Sequence, residues 1–148
     1  MIKVIHVEDD DDIRELVGLS LDATGDFELL SFASGVDALR AVEVFGPDLL
    51  LLDMMMPGLS GEEVLQRLKA SPTSAKIPVI MVSANDTDDL IISTLDIGAH
   101  DYVSKPVIYP VLAARIRSAL RLKQAQEELS LANSALQELA STAPLTGL

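Results

Sequence analysis

Acidic side chains follow two of the most apolar segments of the chain. Glu8 and Asp9 come directly after the apolar residues 4–7, and Asp53 comes directly after four consecutive leucines at 49–52. Crowded carboxylates repel one another and take up protons unless a cation joins them, and oxygen-only ligands favour a hard divalent ion. Glu8, Asp9 and Asp53 are therefore candidate ligands of Mg²⁺, and Asp53 is placed as a nucleophile.

A hydroxyl and an ammonium group follow two further apolar segments. Ser83 ends the segment 78–83, and Lys105, with Pro106 after it, follows the segment 101–104. Beside a divalent ion, a lysine and a hydroxyl can hold phosphoryl oxygens while a carboxylate attacks phosphorus. Taken alone, Ser83 is an ordinary turn hydroxyl and Lys105 an ordinary loop residue. Together with the three acids they indicate phosphoryl-transfer chemistry.

The elements that position these residues are predicted from periodicity. Segments rich in β-branched and aliphatic residues predict strands at 2–7, 27–32, 48–52, 78–83 and 101–104, and helical spacing fills the intervals. Five alternations of strand and helix predict a doubly wound α/β domain, and the fully apolar strands predict a parallel middle of the sheet. Ligands of such sheets bind outside the carboxyl ends of the strands, where the candidate residues are predicted to meet.

Helix boundaries have their own signals. Ser34 and Asp86 are predicted N-caps, and Gly25, Gly46 and Gly98 lie where helices are expected to end. Residues 10–12 are all aspartates, which are better explained as an N-cap and first-turn charges than as metal ligands.

The C-terminal part predicts one long helix, from Tyr109 to about Ala140. Its apolar residues alternate steps of three and four, as a coiled-coil seam requires: Leu122, Ala125, Leu129, Ala132, Leu136, Leu139 and Ala143. This pattern predicts a helical coiled-coil linker at 121–142 after a domain at 1–120, and a homodimer through the helix. The alternative is a single solvated linker helix.

Composition limits the function classes. The formal net charge of -12, from 23 acidic and 11 basic residues, argues against direct nucleic-acid binding. Cysteine is absent, which excludes disulfides and thiolate metal sites and fits a reducing compartment. No apolar run approaches ~18 residues. A soluble, cytoplasmic protein without a membrane segment is expected.

Several motifs resemble those of the receiver domain family of two-component response regulators over residues 1 to about 120. The matching stretches, in order and spacing, are Glu8-Asp9, residues 53–58 leading to Gly61, Ser83-Ala84, and residues 98–102 running into Lys105-Pro106. The resemblance implies a flavodoxin-like, five-stranded parallel sheet of order 2-1-3-4-5, extended here by the C-terminal helix.

The resemblance also implies a role for each site residue. Asp53 accepts a phosphoryl group from the phosphohistidine of a sensor histidine kinase or phosphotransfer protein. Glu8, Asp9 and Asp53, with the backbone carbonyl of Met55, bind Mg²⁺. Lys105 contacts the phosphoryl group, and its bond to the following proline is usually cis in this family.

Two further positions fit the family's conformational switch. Ser83 matches the hydroxyl that moves to the phosphoryl group, and Tyr102 matches the aromatic that swings inward behind it. The resemblance places the output surface on the fourth helix, fifth strand and fifth helix, so the receiver face is a second candidate surface for the homodimer.

The last residues, 143–148, resemble the entry of GGDEF-type diguanylate cyclase domains, where an acid precedes Pro-Leu-Thr-Gly-Leu. Here Ala143 replaces that acid. We interpret 143–148 as the truncated start of a downstream output domain, expect the parent protein to be a diguanylate cyclase, and expect this chain itself not to be an enzyme.

Three other functions compete with a phosphorylation switch that controls dimerisation and output. A haloacid-dehalogenase-like, Mg²⁺-dependent phosphatase also uses an aspartyl nucleophile, but it needs an acid two residues later, where this chain has Met55. A nucleotide-binding module needs glycines after the first strand, where this chain has acids. A phosphorylation-independent dimerisation module requires a missing site residue, and none is missing.

Overall fold

A computed structural model of the protein describes residues 1–84 and 87–147, with side chains described as far as residue 136. Strands and helices alternate along the chain. Their bounds are β1 Ile2–Val7, α1 Asp11–Asp22, β2 Phe27–Phe32, α2 Gly35–Phe45, β3 Leu49–Asp53, α3 Gly61–Ala70, β4 Val79–Ser83, α4 Asp88–Ile97, β5 Asp101–Ser104 and α5 Tyr109–Gly147.

The five strands form one parallel sheet in the order β2-β1-β3-β4-β5. This arrangement confirms the predicted doubly wound, flavodoxin-like fold. The first, second and fifth strands have the predicted bounds, whereas the third lies one residue later and the fourth begins one residue later than predicted. Because all five strands are parallel, their carboxyl ends lie at one edge of the sheet.

Two apolar layers enclose the sheet. Residues such as Val4 and Leu51 pack with Ile116 of α5 on one face, while residues such as Leu50 pack with Leu65 of α3 on the other. Because the central strands are covered on both faces, every residue of β3 and β4 is buried. The continuous apolar runs of the sequence follow from this double coverage.

Most predicted helix ends are confirmed. Ser34 Oγ accepts from the N–H of Asp37 at 3.3 Å, and Gly46 ends α2 in the left-handed conformation. Gly98 ends α4. The prediction of Asp86 as an N-cap was wrong by one residue: Thr87 occupies the N-cap position of α4, and Asp86 lies outside the described residues.

Helix α5 belongs to the domain only over its first part. Leu112, Ile116 and Ala119 are buried against the sheet, and the Arg117 guanidinium pairs with Asp26 at 2.6 Å. The seam leucines Leu122, Leu129 and Leu136 are all exposed. Leu139, Ala143 and the segment 143–148 fall outside the described side chains, so their predicted roles stay predictions. Within the described ranges, no helix is both long and apolar enough to cross a membrane.

Candidate functional site

The three predicted acidic ligands meet at the carboxyl edge of the sheet. Glu8 and Asp9 follow β1, and Asp53 ends the neighbouring strand β3; one oxygen from each lies within 4.8 Å of the others. Glu8 is 2% exposed and Asp53 3% exposed, whereas Asp9 is open to solvent. The set offers only oxygen donors and is open on one side, which fits a hydrated Mg²⁺ ion.

Lys105 reaches the same point from the far side of the sheet. Its Nζ lies 3.2 Å from Glu8 Oε2 and 3.4 Å from Asp53 Oδ1. Its backbone N–H donates to the carbonyl of Ser83 at 2.9 Å, which ties the loop after β5 to the end of β4. The bond from Lys105 to Pro106 is cis, as the family resemblance implies.

The pKa values in the cluster are shifted because two carboxyl groups, Glu8 and Asp53, are buried beside a single ammonium group, Lys105. Burial, reinforced by the negative charge of Asp53, raises the pKa of Glu8 to about 7, while Lys105 opposes the shift. Burial also raises the pKa of Asp53, partly offset by Lys105. Burial alone would lower the pKa of Lys105, but the two carboxylates outweigh it and raise that pKa. One ammonium group leaves the carboxylate pair with excess negative charge, which a divalent cation would neutralise.

The loop after β3 curls over the nucleophile. The N–H of Met55 donates to Asp53 Oδ1 at 3.4 Å, and the N–H of Met54 donates to the Val82 carbonyl at 2.9 Å. Met55 thereby lies next to the cluster in which its carbonyl is predicted to be a metal ligand, and its side chain is exposed.

Gly61 lets α3 begin directly against the end of β3. A Cβ atom on Gly61 would stand 2.2 Å from the carbonyl oxygen of Asp53 and 2.9 Å from Met54 Cα, so only glycine fits. The N–H of Gly61 also donates to the Met54 carbonyl at 3.1 Å. Sequence reasoning noted Gly61 only as part of a family motif and missed this steric role.

Arg14 is a second residue that sequence reasoning missed. Its Nη1 donates to the backbone carbonyl of Glu8 at 2.8 Å, and its Nη2 pairs with Asp11. Arg14 therefore holds the loop that carries Glu8 and Asp9. Its position in the first turns of α1 gives no sequence signal for that contact.

The two predicted switch residues lie at different depths. Ser83 is buried at the end of β4, next to Val82, the register partner of Asp53. Tyr102 lies in β5 opposite Met81 and packs against the apolar layer that faces α4. Ser83 is thus at the same edge as the phosphoacceptor candidate, and Tyr102 lies further down the neighbouring strand. Their switching roles stay predictions.

The fold and site define a CheY-like, flavodoxin-type domain with an acidic cluster and a lysine at its carboxyl edge. The response regulator receiver domain family matches residues 4–117. The chain belongs to this family.

Curated relatives agree on the domain. The chain is 44% identical over 119 residues to the transcriptional regulatory protein CseB of Streptomyces avermitilis, covering 80% of the chain and 48% of that protein. It is 37% identical over 118 residues to the phosphate regulon transcriptional regulatory protein PhoB of Pseudomonas aeruginosa, covering 80% and 51%. The chain spans about half the length of these relatives.

Solved structures share the fold. The receiver domain of Francisella response regulator 1452 is 27% identical, with a TM-score of 0.76, and the match covers 82% of this chain and 98% of that one. A CheY-like receiver domain protein from Methanospirillum hungatei is 23% identical, with a TM-score of 0.78 and coverage of 85% and 98%; this likeness concerns the fold alone.

Proposed function

We propose that this receiver domain is a phosphorylation-dependent switch in which Asp53 accepts a phosphoryl group from a sensor histidine kinase or phosphotransfer protein. The observation that carries the proposal is the position of Lys105 Nζ, 3.4 Å from Asp53 Oδ1, in a cluster that also holds Glu8 and Asp9. The cluster thus brings together a nucleophile, a set of carboxylate ligands for a metal ion, and the ammonium group of Lys105, which can bind the phosphoryl oxygens.

The transfer is an in-line displacement at phosphorus. A carboxylate oxygen of Asp53 forms the new O–P bond while the P–N bond to the kinase histidine breaks, and the imidazole leaves with the electron pair. Mg²⁺, when held by Glu8, Asp9, Asp53 and the Met55 carbonyl, supplies positive charge next to the phosphoryl oxygens. Lys105 binds one phosphoryl oxygen, and the Ser83 hydroxyl donates to another.

The chain itself is proposed not to be an enzyme. An aspartyl-nucleophile phosphatase needs an acid near the nucleophile to protonate its leaving group, and the residue two positions after Asp53 is Met55, whose thioether carries no proton. A phosphorylation-independent dimerisation module is the other alternative. It would have no use for the acid cluster or for Lys105.

The switch acts on dimerisation and output. Phosphorylation draws the Ser83 hydroxyl toward Asp53, and Tyr102 follows it inward, which changes the face formed by α4, β5 and α5 and shifts a pre-existing equilibrium. The homodimer forms through the exposed seam of α5, with the receiver face as a second surface. Binding of nucleic acid by this chain is disfavoured by its net charge of -12.

Two outputs compete for the parent protein. The resemblance of residues 143–148 to a GGDEF entry favours a diguanylate cyclase, but the curated relatives do not support it: those reported above are named transcriptional regulators. Those matches cover about 80% of the chain and half of each relative. We favour a transcriptional output on the relatives' names.

Asp53→Asn tests the switch. With Mg²⁺ and beryllofluoride, the unmutated chain is expected to show amide shifts at Asp53, Ser83 and Lys105 in two-dimensional NMR spectra. Asp53→Asn is expected to show none. Asp12→Asn makes the same charge change at an exposed position in the first turn of α1 and should respond as the parent does. A full response in Asp53→Asn would refute the proposal.

A further inference from the structure

A groove opens at the edge of the sheet opposite Asp53, where α5 leaves the domain. Its volume is about 810 Å³. One wall is formed by the segments that precede β4 and β5, including Lys76 and His100, and the other by α5 from Ala119 to Leu131. Small-molecule sites have volumes of roughly 300–1,000 Å³.

The groove is positively charged in a strongly acidic protein. Three of the five lysines of the chain line it, namely Lys69, Lys76 and Lys123, together with His100. Among the described residues that line the groove, the only acid is Glu127, whose Oε1 lies 3.9 Å from Lys123 Nζ. The net charge of -12 therefore resides elsewhere on the surface.

Lys69 carries a half-buried charge without a counter-ion. Its Nζ donates to the carbonyls of Ala75 at 3.0 Å and Ile77 at 3.2 Å. Among the described residues, no carboxylate lies within ion-pair distance of it, and burial lowers the pKa of Lys69. Lys76 is exposed and likewise has no ion-pair partner in the described part of the chain. An anion in the groove would supply the missing negative charge.

The floor of the groove is apolar. Pro78, Ala99 and Ala119 line it with little accessible surface, and Leu131, which is exposed, supplies apolar surface at the outer end on α5. A fully hydrated inorganic ion would leave the exposed Leu131 side chain uncovered. A ligand with both an acidic group and an apolar body would satisfy the whole lining.

We propose that this groove is a binding site for a small organic anion, an acidic group on an apolar or aromatic body. The acidic group pairs with Lys69, Lys76 and Lys123, and the body covers the floor. This site is separate from the phosphoacceptor edge and goes beyond the switch proposed above.

The bound anion would fix the direction in which α5 leaves the domain, because it would touch both walls. At about 100° per residue, the groove residues Lys123, Gln126 and Ser130 are centred roughly 80° around α5 from the seam residues Leu122 and Leu129. The groove and the seam therefore lie on adjoining faces of α5, so a bound anion and a second copy of the helix would lie side by side. The groove would be a second input to the same output helix.

The test uses the full chain with anilinonaphthalene sulfonate, an aryl sulfonate that fluoresces when bound, and with phenylnaphthylamine, the same ring system without the sulfonate. The sulfonate is expected to bind in a saturable manner and to shift the amides of Lys76, Ala99 and Lys123 in NMR spectra. The uncharged analogue is expected to bind at least roughly tenfold more weakly.

Variants locate the site. Lys76→Met removes a charge that makes no described bond, so it should not affect folding, and it is expected to weaken sulfonate binding roughly threefold to fivefold. Arg67→Met makes the same charge change on the exposed face of α3, outside the groove, and should leave binding unchanged. Equal affinities in the two variants, equal binding of the two dyes, or shifts away from the groove would each overturn the proposal.

Discussion

Lys105 and Glu8 form an ion pair across 97 residues of sequence, with Nζ 3.2 Å from Oε2. The same ammonium group lies 3.4 Å from Asp53 Oδ1. One cation is therefore shared by two buried carboxylates. The pair of carboxylates therefore has an excess negative charge, which favours binding of a divalent cation. Lys105 has a second role, because its ammonium group is also the one that binds the incoming phosphoryl anion.

Lys105→Met is expected to affect binding of the phosphoryl analogue and binding of Mg²⁺ differently. We expect beryllofluoride binding to weaken by roughly tenfold or more, since a charge-assisted hydrogen bond contributes about 1.5–3 kcal/mol. Mg²⁺ affinity should change little or increase, because a competing cation has been removed. Titrations followed by NMR measure both. Lys76→Met, at the opposite edge, is the control for lost charge, and a parallel loss of both affinities in Lys105→Met would contradict this division of roles.

Mg²⁺ binding should depend on pH through Glu8, whose pKa is raised to about 7. The ion binds the carboxylate form, so apparent affinity should fall by about tenfold per pH unit as the pH drops below 7. Calorimetric Mg²⁺ titrations between pH 5.5 and 8, values chosen to span about 1 unit or more around that pKa, measure the slope. Glu8→Gln should bind more weakly and lose most of that slope; an unchanged slope in Glu8→Gln would assign the proton to another group.

Without metal, the contribution of Glu8 to the free energy of unfolding changes with pH in the direction opposite to that of Mg²⁺ affinity. The folded Glu8 holds its proton up to about pH 7, whereas the usual pKa is 4.5. Between these values the folded state binds more protons, so the contribution of Glu8 to the free energy of unfolding falls as the pH rises. Added Mg²⁺ binds the carboxylate form of Glu8, so it should oppose this fall between the two pKa values. Denaturant unfolding with and without Mg²⁺ shows whether it does.

The sequence predicts the carboxyl-edge set well because strand ends are easy to locate. Asp53 follows four leucines, and parallel strands bring their carboxyl ends to one edge, so its neighbourhood with Glu8 follows from topology. Thr87 and Asp86 are both good caps, and periodicity does not distinguish adjacent residues. The N-cap of α4 was therefore missed by one position.

Contacts that depend on packing distances were beyond sequence reasoning. The need for Gly61 arises from the close approach of α3 to the Asp53 carbonyl, and the role of Arg14 arises from the path of its side chain back to Glu8. The lysine groove has the same origin. Lys69 and Lys76 both precede β4, and they share the groove with Lys123 only because α5 continues past the loops before β4 and β5.

Gly61→Ala should damage the site from behind. The added Cβ meets backbone atoms of Asp53 and Met54, which cannot rotate away, so we expect a loss of about 1–3 kcal/mol in the free energy of unfolding and a weaker beryllofluoride response. Gly18→Ala is the matched control in α1. Its Cβ would meet only Leu29 Cδ2 at 3.7 Å, so it should stabilise the protein by about 0.5–1 kcal/mol. Comparable losses in both variants would remove the steric argument.

The exposed seam of α5 can be tested with two leucines of similar exposure. Leu129, 62% exposed, lies on the predicted seam, and Leu131, 72% exposed, lies off it. If α5 pairs with a second copy, Leu129→Gln removes two buried leucines per dimer and should weaken association by roughly a hundredfold, whereas Leu131→Gln should change it little.

Sedimentation velocity with and without Mg²⁺ and beryllofluoride measures the association. A seam of about three heptads with alanine at three of its seven positions is weak alone, so the unmutated chain is expected to dimerise more strongly when the phosphoryl analogue is bound. The helix contact and the response to the analogue are separated by comparing each single variant with the double variant. Asp53→Asn removes the response to the analogue, and Leu129→Gln removes the helix contact. Equal association of the Leu129→Gln and Leu131→Gln variants would assign the dimer to the face formed by α4, β5 and α5, or leave the helix as a single solvated linker if both are monomeric with the parent.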